Sequence, residues 1–474
     1  MSGESAVHGT AHEAAATPDE RRWRLLTLLS VAQFMLILDV TVVAIALPRI
    51  GADLGLERAT LTWVISAYTL MFGGLMLLGG RAADLFGARR VVLSGLLLFT
   101  VASLVTGLAS NATMLIGGRV AQGIGAALLS PAALSVVTTT FHGAERNKAL
   151  GVWAALGGSG SAIGVLLGGV MTAGPGWEWV FYINVPIGIV VFAALVRTLP
   201  ATRGAHHGQR LDVPGAVLVT AATGTAIYGL INAGDRGWTS ARTLGTLGVA
   251  LVLYAAFAML QRVVKSPLMD LRILARRPVA TGVLLMLVAT VLMIASFFLG
   301  SFYLQHLQGY GALRTGLLFL PTALATIAGA HSAGTAIGHL GPRPVATAGL
   351  LLAAAGAAAP AFWSGTTPLV AGISVAAAGV GASFVAASTT ALANVGHHEA
   401  GLASGIVNTA HEFGSAIGVA AVSSIAAAGI TRGSQSGFTN GFTFAAVSAL
   451  GAAVLAVLLI PGGRPDPNTP RFTH

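Results

Sequence analysis

Cysteine is absent from this 474-residue chain. That excludes a disulfide framework, thiol chemistry and an iron–sulfur centre. Charge is scarce too: Asp, Glu, Lys and Arg make up 9% of the residues, against roughly 25% in an average soluble domain. No P-loop and no G-x-S-x-G elbow occurs, so neither ATP hydrolysis nor serine hydrolase chemistry is indicated, and no enzyme is expected. The His206–His207 and His397–His398 pairs lack a third ligand at metal spacing, so they read as solvated loop histidines and no metal or other cofactor is expected. Lysine is nearly missing, occurring only at Lys148 and Lys265, while Ala, Gly and Arg abound. That composition points to a GC-rich bacterium, hence a cell membrane.

What is there is apolar. Hydrophobic residues make up 55% of the chain. About fourteen segments are long enough to cross a ~30 Å hydrocarbon core. They run near 25–47, 60–79, 91–109, 112–139, 150–173, 180–199, 213–233, 241–264, 279–304, 312–337, 345–361, 367–392, 401–429 and 442–460. The fold class expected is an all-α polytopic membrane protein. The first apolar run is too long for a signal peptide, and more spans follow.

The net charge of +10 invites a nucleic-acid reading, but its placement argues against one. With the N-terminus inside, nineteen of the 26 basic residues fall in inner loops and tails, among them Arg21, Arg22, Arg89, Arg276 and Arg464. Only Arg49, Arg58, Arg236, Arg242, Arg314 and Arg432 fall outside, and Arg119 lies within a span. This is the positive-inside bias, with both termini cytoplasmic. The partner is the lipid bilayer, not nucleic acid.

The chain also repeats itself. GSAIGV occurs at Gly160 and again at Gly414, an offset of 254. The same offset carries Gly80, Gly87 and Arg89 onto Gly334, Gly341 and Arg343. Duplicated halves in an apolar chain are a transporter signature, with two bundles rocking about a shared site. The expected plan is a cytoplasmic disordered tail (1–24), a six-helix bundle (25–199), a linker with two spans (200–277), a second six-helix bundle (278–460) and a cytoplasmic tail (461–474). A monomer is expected.

The deepest ionisable residues are Asp39, Arg119 and Glu412, at roughly 21, 20 and 18 Å from the inner surface at ~1.5 Å per residue. Charges there are costly and pair or face a cavity. A carboxyl beside a cation stays ionised and takes a proton more readily when the cation leaves. One layer of this kind suits protons and an organic cation; a static Asp39–Arg119 or Glu412–Arg119 pair that only fixes packing is the alternative. Gly80 and Gly87 permit a tight inner loop, where Asp84 can pair with Arg89, Arg90 or a helix end as a gate latch, or simply form a turn. Gly160, Gly164 and Gly168, with Gly169 beside them, form a small-residue stripe for close helix packing. Trp63, Tyr68, Phe298 and Tyr303, with Phe297 and Phe302, are candidates to line an apolar ligand pocket, against a packing or interfacial role.

These residues resemble the 14-span drug:proton antiporters of the major facilitator superfamily. The first span carries LDVTVVAIALP (Leu38 to Pro48), with Ala44 where the family usually has Asn. The loop after span 2 keeps Gly80, Asp84, Gly87 and Arg89 of the superfamily loop motif and departs at Ala82, Leu85 and Ala88. Span 4 holds LIGGRVAQGIGAA (Leu115 to Ala127), close to the family's pattern around its Arg. Span 5 holds GSAIGVLLGG (Gly160 to Gly169), with Val165 in place of Pro. WEWVFYINVPIG (Trp177 to Gly188) follows, with Glu178 in place of Arg. The resemblance implies the major facilitator fold and proton-coupled export of drug-like molecules. An importer or uniporter of a small metabolite, and a membrane sensor or scaffold, are the competing readings; the glycine stripe and the extra span pair favour export, and the lack of a sizeable soluble domain disfavours a sensor.

Overall fold

The computed structural model describes residues 18–200, 211–269, 271–393, 395 and 400–460. The helices of span length are α1 (Pro18–Leu54), α2 (Arg58–Phe86), α3 (Ala88–Gly107), α4 (Ala112–Thr140), α5 (Gly143–Ala173) and α6 (Trp179–Thr198). Two more follow, α7 (Val213–Arg236) and α8 (Ala241–Val263). The chain then forms α9 (Arg277–Leu307), α10 (Ala312–Leu340), α11 (Pro342–Phe362), α12 (Thr366–Leu392), α13 (Ala400–Ile425) and α14 (Gln435–Leu459). Among the described residues twelve of these are apolar enough to count as spans on composition alone. The other two, α5 and α13, have span length. In α13 the residues Asn408, His411 and Glu412 dilute the apolar run. The all-α polytopic fold expected from the sequence is the fold observed.

The helix boundaries follow local chemistry. Gly87 and Gly341, at φ 89° and 83°, end α2 and α10 and start the next helix at once. A positive φ of this kind favours glycine, which has no Cβ to clash. Asn111 caps α4 by accepting from the Met114 N–H at 3.0 Å, as Ncap side chains do. Asp212 caps α7 through Gly215 N–H at 2.9 Å. The first helix begins at Pro18, so residues 18–24 are helical rather than part of a disordered tail. α5 runs through Val165 without a break, as a residue with an N–H permits where proline would not.

Two sets of helices pack by the same rule. In the first, Gly125 of α4 backs onto the backbone of Gly95 and Phe99 in α3. In the second, Gly379 of α12 backs onto Gly349 and Ala353 in α11, all at the 254-residue offset. Gly160, Gly164 and Gly168 of α5 lie against Ile37, Thr41 and Val42 of α1. Gly414 and Gly418 of α13 lie likewise against Leu287 and Val291 of α9. The two sets meet where α2 packs on α13 and α5 on α10. Gly169 and Gly316 make the second contact close.

α7 covers the α2–α13 seam, with Gly74 of α2 facing Thr220 and Gly234 of α7 facing Ser424. α8 packs on α7 and is otherwise peripheral: 17% of its apolar window is buried. Its exposed Leu251, Val252 and Met259 suit a hydrocarbon environment.

Candidate functional site

The site is assembled by α4. Gly118 backs onto Thr106 of α3, and Gly123 onto the Tyr68 carbonyl of α2. Without β-carbons at these positions, α4 approaches both neighbours closely. Arg119 and Gln122, one helical turn apart, then point at α1. Both are fully buried, as are Asp39, Tyr68, Ser103 and Asn184.

Arg119 Nη1 donates to Asp39 Oδ2 in an ion pair with no solvent exposure on either side chain. The same Nη1 donates to Gln122 Oε1 at 3.0 Å, and Nε donates to the Val64 carbonyl at 2.8 Å. The guanidinium lies 4.3 Å from the Tyr68 ring centroid and 5.9 Å from that of Phe181. A ring face attracts a cation at such distances. Gln122 Nε2 donates to Asp39 Oδ1 at 3.1 Å and to Ser103 Oγ at 2.8 Å. Asn184 Nδ2 donates to the same Asp39 oxygen at 3.4 Å. The Tyr68 hydroxyl donates to the Leu36 carbonyl of α1 at 3.3 Å. A buried charge pair persists only when its remaining hydrogen-bonding capacity is met; these neutral groups satisfy Asp39 and the Nε and Nη1 of Arg119, while Arg119 Nη2 has no hydrogen-bond partner among the described residues.

Glu412 is elsewhere. It lies on α13 against α2, where a β-carbon at Gly73 would strike its own. Its partner is His411, whose Nδ1 is 3.3 Å from Oε1. Phe384 of α12 stacks at 5.5 Å from the His411 ring. Asp39 and Arg119 therefore come together, while Glu412 lies on the other side of the seam between the two sets of helices, packed on Gly73. The Glu412–Arg119 pair considered from sequence is not formed, because packing of α13 on α2 turns Glu412 toward Gly73.

The other expected residues have more ordinary surroundings. Asp84 pairs with Arg81 of its own helix, at 3.9 Å and half exposed. Arg89 instead donates to the Val196 carbonyl at the end of α6, at 2.6 Å. No Asp84–Arg89 latch forms, because the Gly87 turn aims Arg89 at α6. Gly80 lies within α2, where an added β-carbon would sit 3.6 Å from Pro131 in ordinary contact; the close approach to α4 is made by Gly79 against Ala127. Trp63 packs with the α7 cluster around Leu70 and Ile227. Phe298 and Tyr303 are core residues of the second set: Phe298 stacks on Phe302 at 5.0 Å, and the Tyr303 hydroxyl accepts from Gly365 N–H at 2.9 Å. Of the four aromatic candidates Tyr68 alone reaches the charge pair. The His206–His207 and His397–His398 pairs lie outside the described residues.

Sequence reasoning missed Gln122, Ser103 and Asn184. Gln122 had a signal, since it stands three residues after Arg119 on the same face. Asn184 had one in the INVP run: Pro186 lacks the N–H that would bond the Tyr182 carbonyl, and α6 is interrupted at Ile183, just before Asn184. The internal repeat adds a contrast. At the offset set by the packing glycines, Asp39, Ser103, Arg119 and Gln122 correspond to Leu292, Ala357, Ile373 and Ala376. The packing is duplicated and the charge is not.

Residues 29–419 and 332–474 match the Major Facilitator Superfamily. The chain belongs to that superfamily. It is similar to the puromycin resistance protein pur8 of Streptomyces alboniger, at 36% identity, covering 94% of this chain and 93% of that one. It is likewise similar to the cephamycin export protein CmcT of Amycolatopsis lactamdurans, at 36% identity with 98% of each covered. The multidrug resistance protein Stp of Mycobacterium tuberculosis (strain CDC 1551 / Oshkosh) is 32% identical, covering 86% of this chain and 76% of that one. Among solved structures, a bacterial homologue of the human lysosomal transporter Spinster, inward-facing and occupied, superposes with a TM-score of 0.67 at 16% identity, covering 94% and 97%. As a major facilitator protein, the chain is a multi-pass membrane transporter and not an enzyme.

Proposed function

We propose that this chain exports amphipathic, antibiotic-like compounds in exchange for protons, by alternating access. The observation that carries the reading is the Asp39–Arg119 pair, fully buried inside a membrane protein whose relatives are named for antibiotic resistance and export. Static packing does not need such a pair, because the second set of helices packs the same way with Leu292 and Ile373 in its place. A proton arriving at Asp39 neutralises the carboxylate and weakens its hold on Arg119. That changes the balance between the two arrangements of the halves and releases the outbound compound. No cofactor enters the cycle.

The orientation follows from the positive-inside bias: both termini lie in the cytoplasm of a bacterial cell membrane, with Arg58 near the outer face and Asp84 near the inner one. The functional plan is two six-helix units, 25–199 and 278–460, with α7 and α8 inserted between them, acting as a monomer. Glu412 offers a cationic substrate a counter-charge from the opposite side of the seam, with the Phe384 ring against the neighbouring His411.

The test is efflux of a panel of cationic and neutral compounds from energised cells, with and without a protonophore, in wild type and Glu412→Gln. Export should collapse with the protonophore. Glu412→Gln should weaken export of cations several-fold more than that of neutral compounds. Protonophore-insensitive efflux would defeat the proposal; equal loss of both classes with falling protein level would assign Glu412 to packing.

A further inference from the structure

We propose that Asn184 is a positioning residue for the proton on Asp39: it turns its amide to accept the carboxylic acid O–H when Asp39 is neutral. The inference rests on the reading of Asp39 as the coupling acid and adds the group that makes the neutral state possible.

A buried carboxylate and a buried carboxylic acid need different neighbours. The ionised form only accepts hydrogen bonds; the protonated form must also donate one. Among the described residues three side chains lie within hydrogen-bond distance of Asp39: Arg119, Gln122 and Asn184. Arg119 has no acceptor to offer. The Gln122 carbonyl oxygen already takes Arg119 Nη1 at 3.0 Å and the Thr106 hydroxyl at 3.4 Å. Turning the Gln122 amide would also break its 2.8 Å bond to Ser103. Asn184 differs on both counts. Its Oδ1 is fully buried and has no hydrogen-bond partner, and its only contact with the acid is the long 3.4 Å bond through Nδ2. Little is lost when this amide rotates about its soft terminal torsion. Rotation exchanges Nδ2 for Oδ1 opposite Asp39 Oδ1, and the orphaned oxygen gains its first partner.

The step balances simply. A hydronium ion gives one proton to Asp39 Oδ1 and leaves as water, and the acid changes from minus one to neutral. Its O–H then donates to Asn184 Oδ1. Arg119 keeps its charge, its Val64 and Gln122 bonds and its two aromatic rings. No covalent bond of Asn184 changes. The charged or titratable groups facing Asp39 are Arg119 from α4, Tyr68 from α2 and, beyond Tyr68, Glu412 with His411 from α13. Around Asp39 glycines make the α5 contact with α1; the charged contact of these two helices, Arg22 with Glu145, lies at their inner end. The Arg and His residues of α9 and α10 lie toward their ends, at Arg277, His306, Arg314 and His339, or on an exposed face at His331.

The experiment is a proton-binding titration of the purified full chain in detergent. Subtraction of the Asp39→Asn chain isolates proton uptake that depends on Asp39, and no transported compound is needed. Removing the acceptor with Asn184→Leu costs the neutral form its O–H partner, while the ionised form loses only a long bond. Proton affinity should fall about tenfold, moving the midpoint about one pH unit lower. Asn184→Ala, which removes the same acceptor without adding bulk, should move it the same way if the leucine chain does not fold. Asn184→Ser, which keeps a group able both to donate and to accept, should restore part of the shift. An unchanged midpoint in either apolar variant would overturn the proposal. So would a rise, which would make Asn184 chiefly a donor to the carboxylate. If wild type and Asp39→Asn bind protons identically at every pH, it is the coupling role of Asp39 that fails, a result distinct from failure at Asn184.

Discussion

At Asp39, two accounts of a buried ion pair make opposite demands on the fold. A pair that only holds helices together leaves an uncompensated charge when one partner is neutralised, at a cost of about 3–5 kcal/mol. A pair that cycles through a protonated acid must tolerate neutrality at Asp39 as part of its normal life. Asp39→Asn imitates that state. It should keep thermal stability in detergent close to wild type while abolishing proton-driven efflux; a large drop in unfolding temperature would favour the static account. That Arg119 meets an acid was legible in the sequence, because an arginine inside an apolar span has few other fates, but whether the acid was Asp39 or Glu412 was left open. The separation of Glu412 was not legible, because depth along a helix says nothing about its rotation, and packing on Gly73 decides the facing. Gln122, Ser103 and Asn184 were hidden for another reason: neutral polar residues are cheap enough in membrane helices to be common, so none announces a site by itself.

Among the elements, α5 and α13 carry the duplicated packing. The stripe Gly160, Gly164 and Gly168 docks on the helix that bears Asp39, and at Gly164 any β-carbon would run into the Thr41 hydroxyl. Gly164→Leu forces α1 and α5 apart and should cost about 1–3 kcal/mol, seen as a lower unfolding temperature in detergent. Gly117→Ala is the matched control, because nothing lies near the position its methyl would take; it should be silent. Similar losses in both variants would mean that the stripe has no special role. The GSAIGV repeat made this packing legible before any coordinates. Its partner helix was harder to align. Phe34, Ile37, Leu38 and Thr41 on α1 meet the glycines where Leu287, Thr290, Val291 and Ile294 do on α9, an offset of 253 rather than 254 residues, because the connections between helices differ in length. A one-residue difference suffices to obscure that Leu292 stands where Asp39 does.

At the scale of the whole molecule, the seam between α2 and α13 is where the halves must part, and α7 lies across it. Arg58, buried at the end of α2, donates to Ser423 of α13 at 3.0 Å and, on α7, to the Ile231 carbonyl at 3.0 Å and Asp235 at 2.6 Å. One guanidinium thus joins both halves to the inserted helix pair. Twelve of the spans were legible in hydropathy among the described residues, but the docking of α7 on this seam was not, since a span's neighbours leave no mark on its own composition. Arg58→Ala should loosen this end. In a chain without native cysteine, Ser66→Cys, which faces Ala416 across the seam, should then react several-fold faster with a membrane-impermeant maleimide added outside. An unchanged rate would leave Arg58 without a gating role. The claim that joins these scales is exchange of compound for proton, and it is tested most directly in proteoliposomes holding the purified chain and a trapped pH indicator. An exported compound added on one side should move protons the opposite way, in wild type and not in Asp39→Asn. Compound flux without any proton movement would contradict it.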